Sequence, residues 1–142
     1  LIEGILKPSL EKVGIHLNVM MEKARLFIEP DLMKTVLLNL LDNGRKAIEA
    51  KGELHLLGRK EEGGYAIYVK DSGKGMPQKE ISRITEAFYM IDKSRAREQG
   101  GAGLGLSICA EIVKRHQGTL QFQSIEGQGT IVRIFLPKEA VK

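Results

Sequence analysis

"LLNLLDNGRKAIEA", residues 37–50, combines an apolar helical face with polar side chains that a purely structural helix does not need. At about 100° per residue, Asn39, Asn43 and Lys46 fall within one narrow arc of a helix. The neighbouring surface is apolar and is formed by Leu37, Leu40, Leu41, Ala47 and Ile48. Asparagine is a mediocre helix former, because its amide competes for nearby backbone groups. The arc is therefore a polar seam at the edge of a core-facing helix.

Two interpretations of this seam stay open on the residues alone. Amide oxygens are hard ligands that suit a hydrated Mg²⁺, and the Lys46 ammonium suits a phosphate. Alternatively, Asn39 and Asn43 satisfy local backbone groups at a helix edge.

The helix that contains the seam is predicted over residues 29–52, starting near Glu29 or Asp31 and ended by Gly52. A second strong helix is predicted over 104–118, "LGLSICAEIVKRHQG", and a short one within 76–88, after Pro77. The first ten residues, "LIEGILKPSL", have helical spacing that breaks at Pro8.

Strands are predicted where apolar residues alternate, at 14–20, 24–28, 52–60, 63–71, 119–125 and 129–137. Turns with glycine, "EEGG" and "EGQG", join the last four of these segments into two hairpins. The strands do not alternate regularly with helices, so a doubly wound parallel sheet fits poorly. The order favours an α/β fold: a two-layer sandwich with helices on one face of a mixed, mostly antiparallel sheet.

Composition excludes several classes of function. The 142 residues suffice for one domain, and the formal charge of +4 comes from basic residues interspersed with acidic ones, so no nucleic-acid surface is indicated. The single cysteine, Cys109, excludes an intrachain disulfide and fits a reducing, cytoplasmic compartment. No apolar run reaches the roughly 20 residues that span a bilayer. Because the chain starts with Leu1, we expect a piece of a longer parent protein. Any membrane anchor of that parent is expected outside this domain, which itself makes no membrane contact.

A second polar cluster is "VKDSGKGMP", residues 69–77. Asp71 at a strand end is an acceptor when ionised and suits an exocyclic amine such as that of adenine. Gly73 and Gly75 permit positive φ and close approach of a ligand to the backbone. The alternative is an ordinary Asp-Ser-Gly turn.

A third cluster, "GGAGLGLSI" at 100–108, directly precedes a predicted helix, where free N–H groups and the helix dipole favour phosphate. The stretch lacks the Gly-Lys-Ser/Thr ending of a P-loop. Its G-x-G-x-G spacing after a charged, irregular segment also differs from the G-x-G-x-x-G of a dinucleotide-binding turn.

Taken in order, these clusters strongly resemble the ATP-binding catalytic domain of bacterial sensor histidine kinases. That domain has the Bergerat fold and belongs to the superfamily shared with gyrase, Hsp90 and MutL. "NLLDNGRKA" resembles the family's asparagine box, "DSGKGM" its first glycine box, and "EAFY" its phenylalanine box. "GGAGLGL" resembles its second glycine box and "GQGTIVRIFLP" its closing strand.

The resemblance implies ATP and Mg²⁺ as cofactors. It implies that Asn43 binds the Mg²⁺ that bridges the phosphates, with Asn39 nearby and Lys46 on phosphate oxygens. The residues implied to hold the phosphates at the start of the helix are Gly101, Gly103, Leu104, Gly105 and Leu106.

For the base, the resemblance implies that Asp71 takes the adenine amine and that Gly73, Gly75 and Met76 line the pocket. The resemblance also implies that Thr130 lies near the adenine and contacts it through water. Residues 89–100 are implied to form a lid with candidate phosphate contacts at Lys93, Arg95 or Arg97, for which a solvated surface charge is an equal alternative.

Family members that hydrolyse ATP, or that phosphorylate serine in anti-sigma partners, carry a glutamate base four residues before the metal asparagine. Here that position is Asn39, which cannot take a proton. The resemblance therefore favours a histidine kinase module that presents ATP to an external nucleophile. An anti-sigma-type serine kinase and a nucleotide-binding regulatory module without transfer activity are the alternatives.

In histidine kinases the nucleophile is a histidine on a separate dimerisation domain, followed by an acidic residue and soon by a proline. His16, His55 and His116 lack that context. The first two read as strand residues and His116 as a cation at a helix end. The acceptor domain, and a response regulator downstream, are thus expected partners. Residues 1–10 are expected to end a linker from that domain, and 11–142 to form the catalytic domain.

Overall fold

The computed structural model describes residues 2–26, 28–77, 79 and 102–137, with the side chains of 2–6 and 102–105 left aside. Three helices are present in this part of the chain: α1 (Ile2–Lys12), α2 (Pro30–Ala47) and α3 (Ala102–Arg115). Its strands are β1 (Ile15–Met21), β2 (Gly52–Glu61), β3 (Gly64–Asp71), β4 (Thr119–Ile125) and β5 (Gly129–Pro137).

The strands form one sheet in the order β1-β2-β3-β5-β4. The β1–β2 pair is parallel and the other three pairs are antiparallel. The predicted mixed, mostly antiparallel sheet and both predicted hairpins are therefore confirmed. The register places Asp71 at the end of β3 directly opposite Thr130 on β5.

The helices cover one face of the sheet, as predicted. Strand residues such as Leu17, Leu54 and Ile134 are fully buried on that face. They share one core cluster with Leu40 of α2 and Val113 of α3. The core therefore lies between the sheet and the helices.

The opposite, open face of the sheet carries a polar network centred on Glu61. The carboxylate of Glu61 accepts hydrogen bonds from Arg133 at 2.7 Å, from Arg59 at 2.9 Å and from the Tyr68 hydroxyl at 2.5 Å. These contacts cross three adjacent strands, β2, β3 and β5, and tie them together on the side that no described helix covers.

Three local predictions were wrong because tertiary packing overrides local pattern. Helix α2 ends at Ala47 rather than at Gly52, since Ile48 is extended and 9 % exposed and Gly52 already opens β2. The segment 24–28 is no strand in its described residues: Leu26 and Ile28 instead pack on the core as the chain crosses to α2.

Helix α1 continues through Pro8, where a break was predicted. Proline removes one helical hydrogen bond, but Leu10 in the following turn is only 4 % exposed and belongs to the core. Burial of that turn holds the helix together past the proline. The predicted short helix within 76–88 lies outside the described residues, apart from its first two positions and Lys79. Nowhere in the described ranges does a helix combine the length and apolarity that crossing a bilayer requires.

Candidate functional site

Helices α2 and α3 pack antiparallel, and this fixes where their ends lie. Where α2 begins and α3 ends, the backbone N–H of Glu29 donates to Nε2 of His116 at 3.0 Å. Further along, the Cys109 thiol points at the carbonyl of Val36 at 3.7 Å and is hydrogen-bonded by the Asn39 side chain. Asn43 follows Asn39 by four residues on α2, and Gly105 precedes Cys109 by four residues on α3. Because the two helices run in opposite directions, Asn43 and Gly105 lie at the same level. The first turn of α3 therefore lies beside the second half of α2.

His116 has a different role from the predicted cation at a helix end. Its Nδ1 lies 2.8 Å from the carbonyl of Ile112, while Nε2 accepts the Glu29 N–H. A ring that donates through one nitrogen and accepts through the other is neutral. His116 thus joins the end of α3 to the start of α2.

The end of β3 meets α2 at Gly44. A Cβ there would lie 2.6 Å from Leu54 Cδ2 and 3.2 Å from the Cβ of Asp71, so only glycine allows the helix to come this close. Asn43 is the neighbouring residue on α2. The asparagine seam and the aspartate of the second cluster, 28 positions apart in sequence (71 − 43), are therefore brought together.

Asp71 is 7 % exposed and is held by backbone donors. Its Oδ1 accepts the N–H of Gly73 at 2.8 Å, and the N–H of Thr130 also donates to the carboxylate. Burial raises the pKa of Asp71, and these two hydrogen bonds oppose the rise. Ionised Asp71 keeps further lone pairs that can accept a ligand N–H.

The glycines of the second cluster allow close backbone contacts. A Cβ at Gly73 would lie 2.7 Å from atoms of Ala47 at the end of α2, and the Lys74 N–H donates to the Ala47 carbonyl at 3.0 Å. Gly75 has φ +67°, and a Cβ there would overlap the carbonyl oxygen of Ile125. The segment is thus wedged between α2 and the β4–β5 turn.

The β4–β5 turn holds the same segment from the other side. The Gly127 N–H donates to the Lys74 carbonyl at 2.6 Å, and the Met76 N–H donates to Ser124 Oγ at 2.8 Å. Sequence reasoning missed Ser124. The alternation of β4 carried the signal, because Ser124 follows Leu120 and Phe122 on the half-buried face.

The three polar residues of the seam differ in their surroundings. Asn39 and Asn43 are half-buried, and Asn39 is engaged with Cys109. Lys46 is exposed and lies 3.1 Å from Oδ2 of Asp42, which Arg45 also contacts at 2.7 Å. Burial disfavours the Asp42 carboxylate, but these two cations outweigh it and lower its pKa.

Cys109 is fully buried at the interface between α2 and α3. Burial raises the pKa of its thiol to about 12, against the hydrogen bond from Asn39. A thiol with that pKa is inert at neutral pH. Cys109 therefore acts as a small core residue.

The donor set offers no complete metal cage. In the ranges that the structure describes, no group of three or more His, Cys, Asp or Glu side chains converges. Asn43 can offer one amide oxygen. Mg²⁺ commonly keeps several waters and takes its other ligands from a phosphate substrate, so a single protein oxygen is compatible with it.

The remaining predicted residues fall into two groups. Gly103, Leu104 and Gly105 lie in the first turn of α3, which begins two residues earlier than predicted, and half-buried Leu106 packs against the core. Gly101 and Lys93, with Arg95, Arg97 and the rest of the predicted lid, lie outside the described residues. The structure thus brings Asn43, Asp71, Gly73, Gly75, Met76 and Thr130 and the start of α3 to one end of the molecule.

Comparisons with known proteins agree on one family. The model of the family described as histidine kinase-, DNA gyrase B- and HSP90-like ATPases matches residues 28–140. Sensor protein kinase WalK of Staphylococcus haemolyticus is 40% identical over 116 residues, which is 80% of this chain and 19% of WalK. WalK of Staphylococcus aureus is 38% identical over 116 residues, 80% of this chain and 28% of that relative. The chain thus spans between about a fifth and just over a quarter of the length of these relatives.

Solved structures show the same fold. The catalytic domain of histidine kinase ThkA superposes with a TM-score of 0.78 at 22% identity, covering 96% of this chain and 87% of that one. Full-length ShkA in complex with AMPPNP gives a TM-score of 0.77 at 25% identity, covering 96% of this chain and 29% of ShkA.

Proposed function

The chain belongs to the family of histidine kinase-, DNA gyrase B- and HSP90-like ATPases and is an ATP-binding domain of the sensor kinase type. From this premise, we propose that it binds Mg·ATP and presents the γ-phosphate to a histidine on a separate dimerisation domain. The acceptor domain of the same parent protein and a downstream response regulator are the partners in this proposal. We further propose that the domain works in the cytoplasm, with residues 1–10 leading from the acceptor domain.

The observation that carries the proposal is the meeting of three chain segments at one end of the sheet. Asn43 is adjacent to Gly44, which packs on Asp71. The antiparallel packing of α2 and α3 brings the first turn of α3 to the same level. A helix N-terminus favours phosphate, and a buried carboxylate favours an amine. Together these groups suit the two ends of one adenine nucleotide.

Each residue has a defined part in this proposal. Asp71, fixed by two backbone donors, orients the base through its exocyclic amine. Asn43 supplies one oxygen to the metal ion, and Lys46, shared with Asp42, neutralises phosphate charge. The N–H groups at the start of α3 hold the phosphate tail. Bound Mg²⁺ would neutralise charge on the phosphates, as in phosphoryl transfer generally.

The surroundings of Asn39 support transfer over hydrolysis. An amide cannot accept a proton as a general base, and this one is hydrogen-bonded to the buried Cys109 thiol. No base therefore stands one turn before Asn43 to activate water. This favours an external nucleophile and argues against the anti-sigma-type serine kinase.

Calorimetry tests the nucleotide site first. ATP is titrated into the wild type with and without Mg²⁺, and into Asn43→Ala. The matched control is Asn18→Ala, which removes an asparagine of the open sheet face that contacts His55 at 3.5 Å. We expect Mg²⁺-dependent binding that is lost in Asn43→Ala and kept in Asn18→Ala.

Equal binding in all three proteins would exclude Asn43 as the metal ligand, and no binding to the wild type would refute the nucleotide site. The transfer step is tested by adding a histidine-bearing acceptor domain and γ-labelled ATP. Binding without any transfer would favour the regulatory module.

A further inference from the structure

Ser124 Oγ is the centre of a hydrogen-bond cluster beside Asp71. It donates to the carbonyl oxygen of Gly129 at 3.0 Å and accepts the N–H of Met76 at 2.8 Å. It also lies 2.8 Å from Thr130 Oγ1. Thr130 is 9 % exposed and stands directly opposite Asp71 in the sheet register, on the same face.

The hydrogens in this cluster can be assigned by counting. A serine hydroxyl has one hydrogen and two acceptor positions. A carbonyl only accepts, so the single hydrogen of Ser124 goes to Gly129. The bond between the two hydroxyls then needs the hydrogen of Thr130, which must donate to Ser124. Thr130 Oγ1 is left with lone pairs and no hydrogen for any other partner.

We propose that Ser124 is a specificity-determining residue, which fixes the Thr130 hydroxyl as an acceptor and so restricts the site to purines with an amino group at C6. This inference rests on the proposed ATP site. Ionised Asp71 is also acceptor-only, so in this proposal a base that contacts both side chains directly meets two acceptors. An amino group, with two hydrogens, suits both of them. A carbonyl oxygen at C6, as in inosine, would face lone pairs.

Removal of the Ser124 hydroxyl should relax this selection. In Ser124→Ala the Thr130 hydroxyl loses its acceptor and becomes free to rotate and donate to a ligand. A neutral hydrogen bond changes affinity by about fivefold. We therefore expect the preference for ATP over ITP to fall by about fivefold. Ser124→Thr keeps the hydroxyl and should restore the wild-type preference.

The test is calorimetric titration of the 142-residue chain with ATP and with ITP, below the melting temperature of each variant. Ser124→Cys, whose sulfur is a weak acceptor, serves as the second variant if Ser124→Ala does not fold, with an intermediate ratio expected. Ser72→Ala is the matched control, because Ser72 Oγ accepts the Glu53 N–H at 2.9 Å and lies outside the cluster. Its ATP/ITP ratio should equal that of the wild type.

A Thr130→Val background separates specificity from general loosening. If Ser124 acts through the Thr130 hydroxyl, Ser124→Ala has no further effect on the ATP/ITP ratio in that background. An unchanged ratio in the single variant, or an equal change in both backgrounds, overturns the inference while leaving the ATP site intact. A wild type that binds neither nucleotide overturns the proposed function itself.

Discussion

Gly129 and Gly127 lie in the same turn at the site and offer a sharp test of how the turn is packed. Both have positive φ, +131° and +84°, so alanine is strained at either position. A Cβ at Gly127 would meet nothing within 4 Å, whereas one at Gly129 would overlap the backbone oxygen of Asp71. Both substitutions therefore cause local backbone strain, and Gly129→Ala adds an overlap with the backbone of Asp71.

The expected magnitudes follow from that difference. For Gly127→Ala, left-handed strain of about 1–2 kcal/mol, partly offset by a stiffer unfolded chain, gives a net loss of about 1 kcal/mol. Gly129→Ala adds roughly 1–3 kcal/mol, because the β3–β5 pair must separate to admit the methyl group. We expect a total loss of about 3 kcal/mol for Gly129→Ala.

Urea unfolding followed by circular dichroism measures both variants. With a slope of about 2 kcal/mol per molar urea, the two midpoints should differ by about 1 M. ATP affinity should fall in Gly129→Ala alone, because Asp71 is displaced. Equal midpoints would refute the reasoning, since they would mean that the Asp71 carbonyl does not crowd this position.

Three further predictions follow from named side chains. Hydrogen bonds from Tyr68, Arg133 and Arg59 hold the pKa of Glu61 at about 2, below its usual 4.5. The unfolded state therefore binds more protons between these values, and stability present above pH 4.5 is lost as the pH drops through 2. The loss is about 2 kcal/mol once the solvent screening of this partly exposed carboxylate is allowed for. In Glu61→Gln the free energy of unfolding, measured in urea between pH 5 and pH 2.5, should lose this part of its pH dependence. The same pH dependence in the variant and the wild type would contradict this role of Glu61. Asp71→Asn should lower ATP affinity at least tenfold in calorimetry while the circular dichroism spectrum stays native, because an amide N–H replaces an acceptor; wild-type affinity would disprove the amine contact. With its pKa at about 12, the Cys109 thiol should react with iodoacetamide at pH 8 about a thousandfold more slowly in the folded than in the urea-unfolded chain, and equal rates would show that it is not buried.

The fold was predictable where local pattern and tertiary structure agree. Strands 119–125 and 129–137 match to the residue, because strict alternation is bounded by a turn with glycines. The prediction failed where distant packing decides. Leu10 keeps α1 intact beyond Pro8, and the burial of Ile48 draws the chain out of α2 early. Neither contact is visible in a window of neighbouring residues.

The polar residues of the candidate site could be proposed from residue type, but the residues that hold the site in place could not. Asn43 and Asp71 stand out because polar groups at those places are unusual in a core-facing helix and at a strand end. Ser124 and Gly44 do not stand out by residue type. The alternation of β4 places Ser124 on the half-buried face but does not reveal its partners, and a glycine in a helix has no local signature. Their roles depend on Met76 and on Asp71, which lie far away in sequence.

The hydrogen bonds between the β4–β5 hairpin and residues 74–76 have a consequence for synthesis on the ribosome. Met76 and Lys74 are synthesised well before their hydrogen-bond partners, which are Ser124 and Gly127. A nascent chain that has completed β3 and α2 still lacks the partners that shape the proposed base pocket. Nucleotide capture should therefore begin only after the β4–β5 hairpin has left the exit tunnel, so that truncated translation products stay unable to bind ATP.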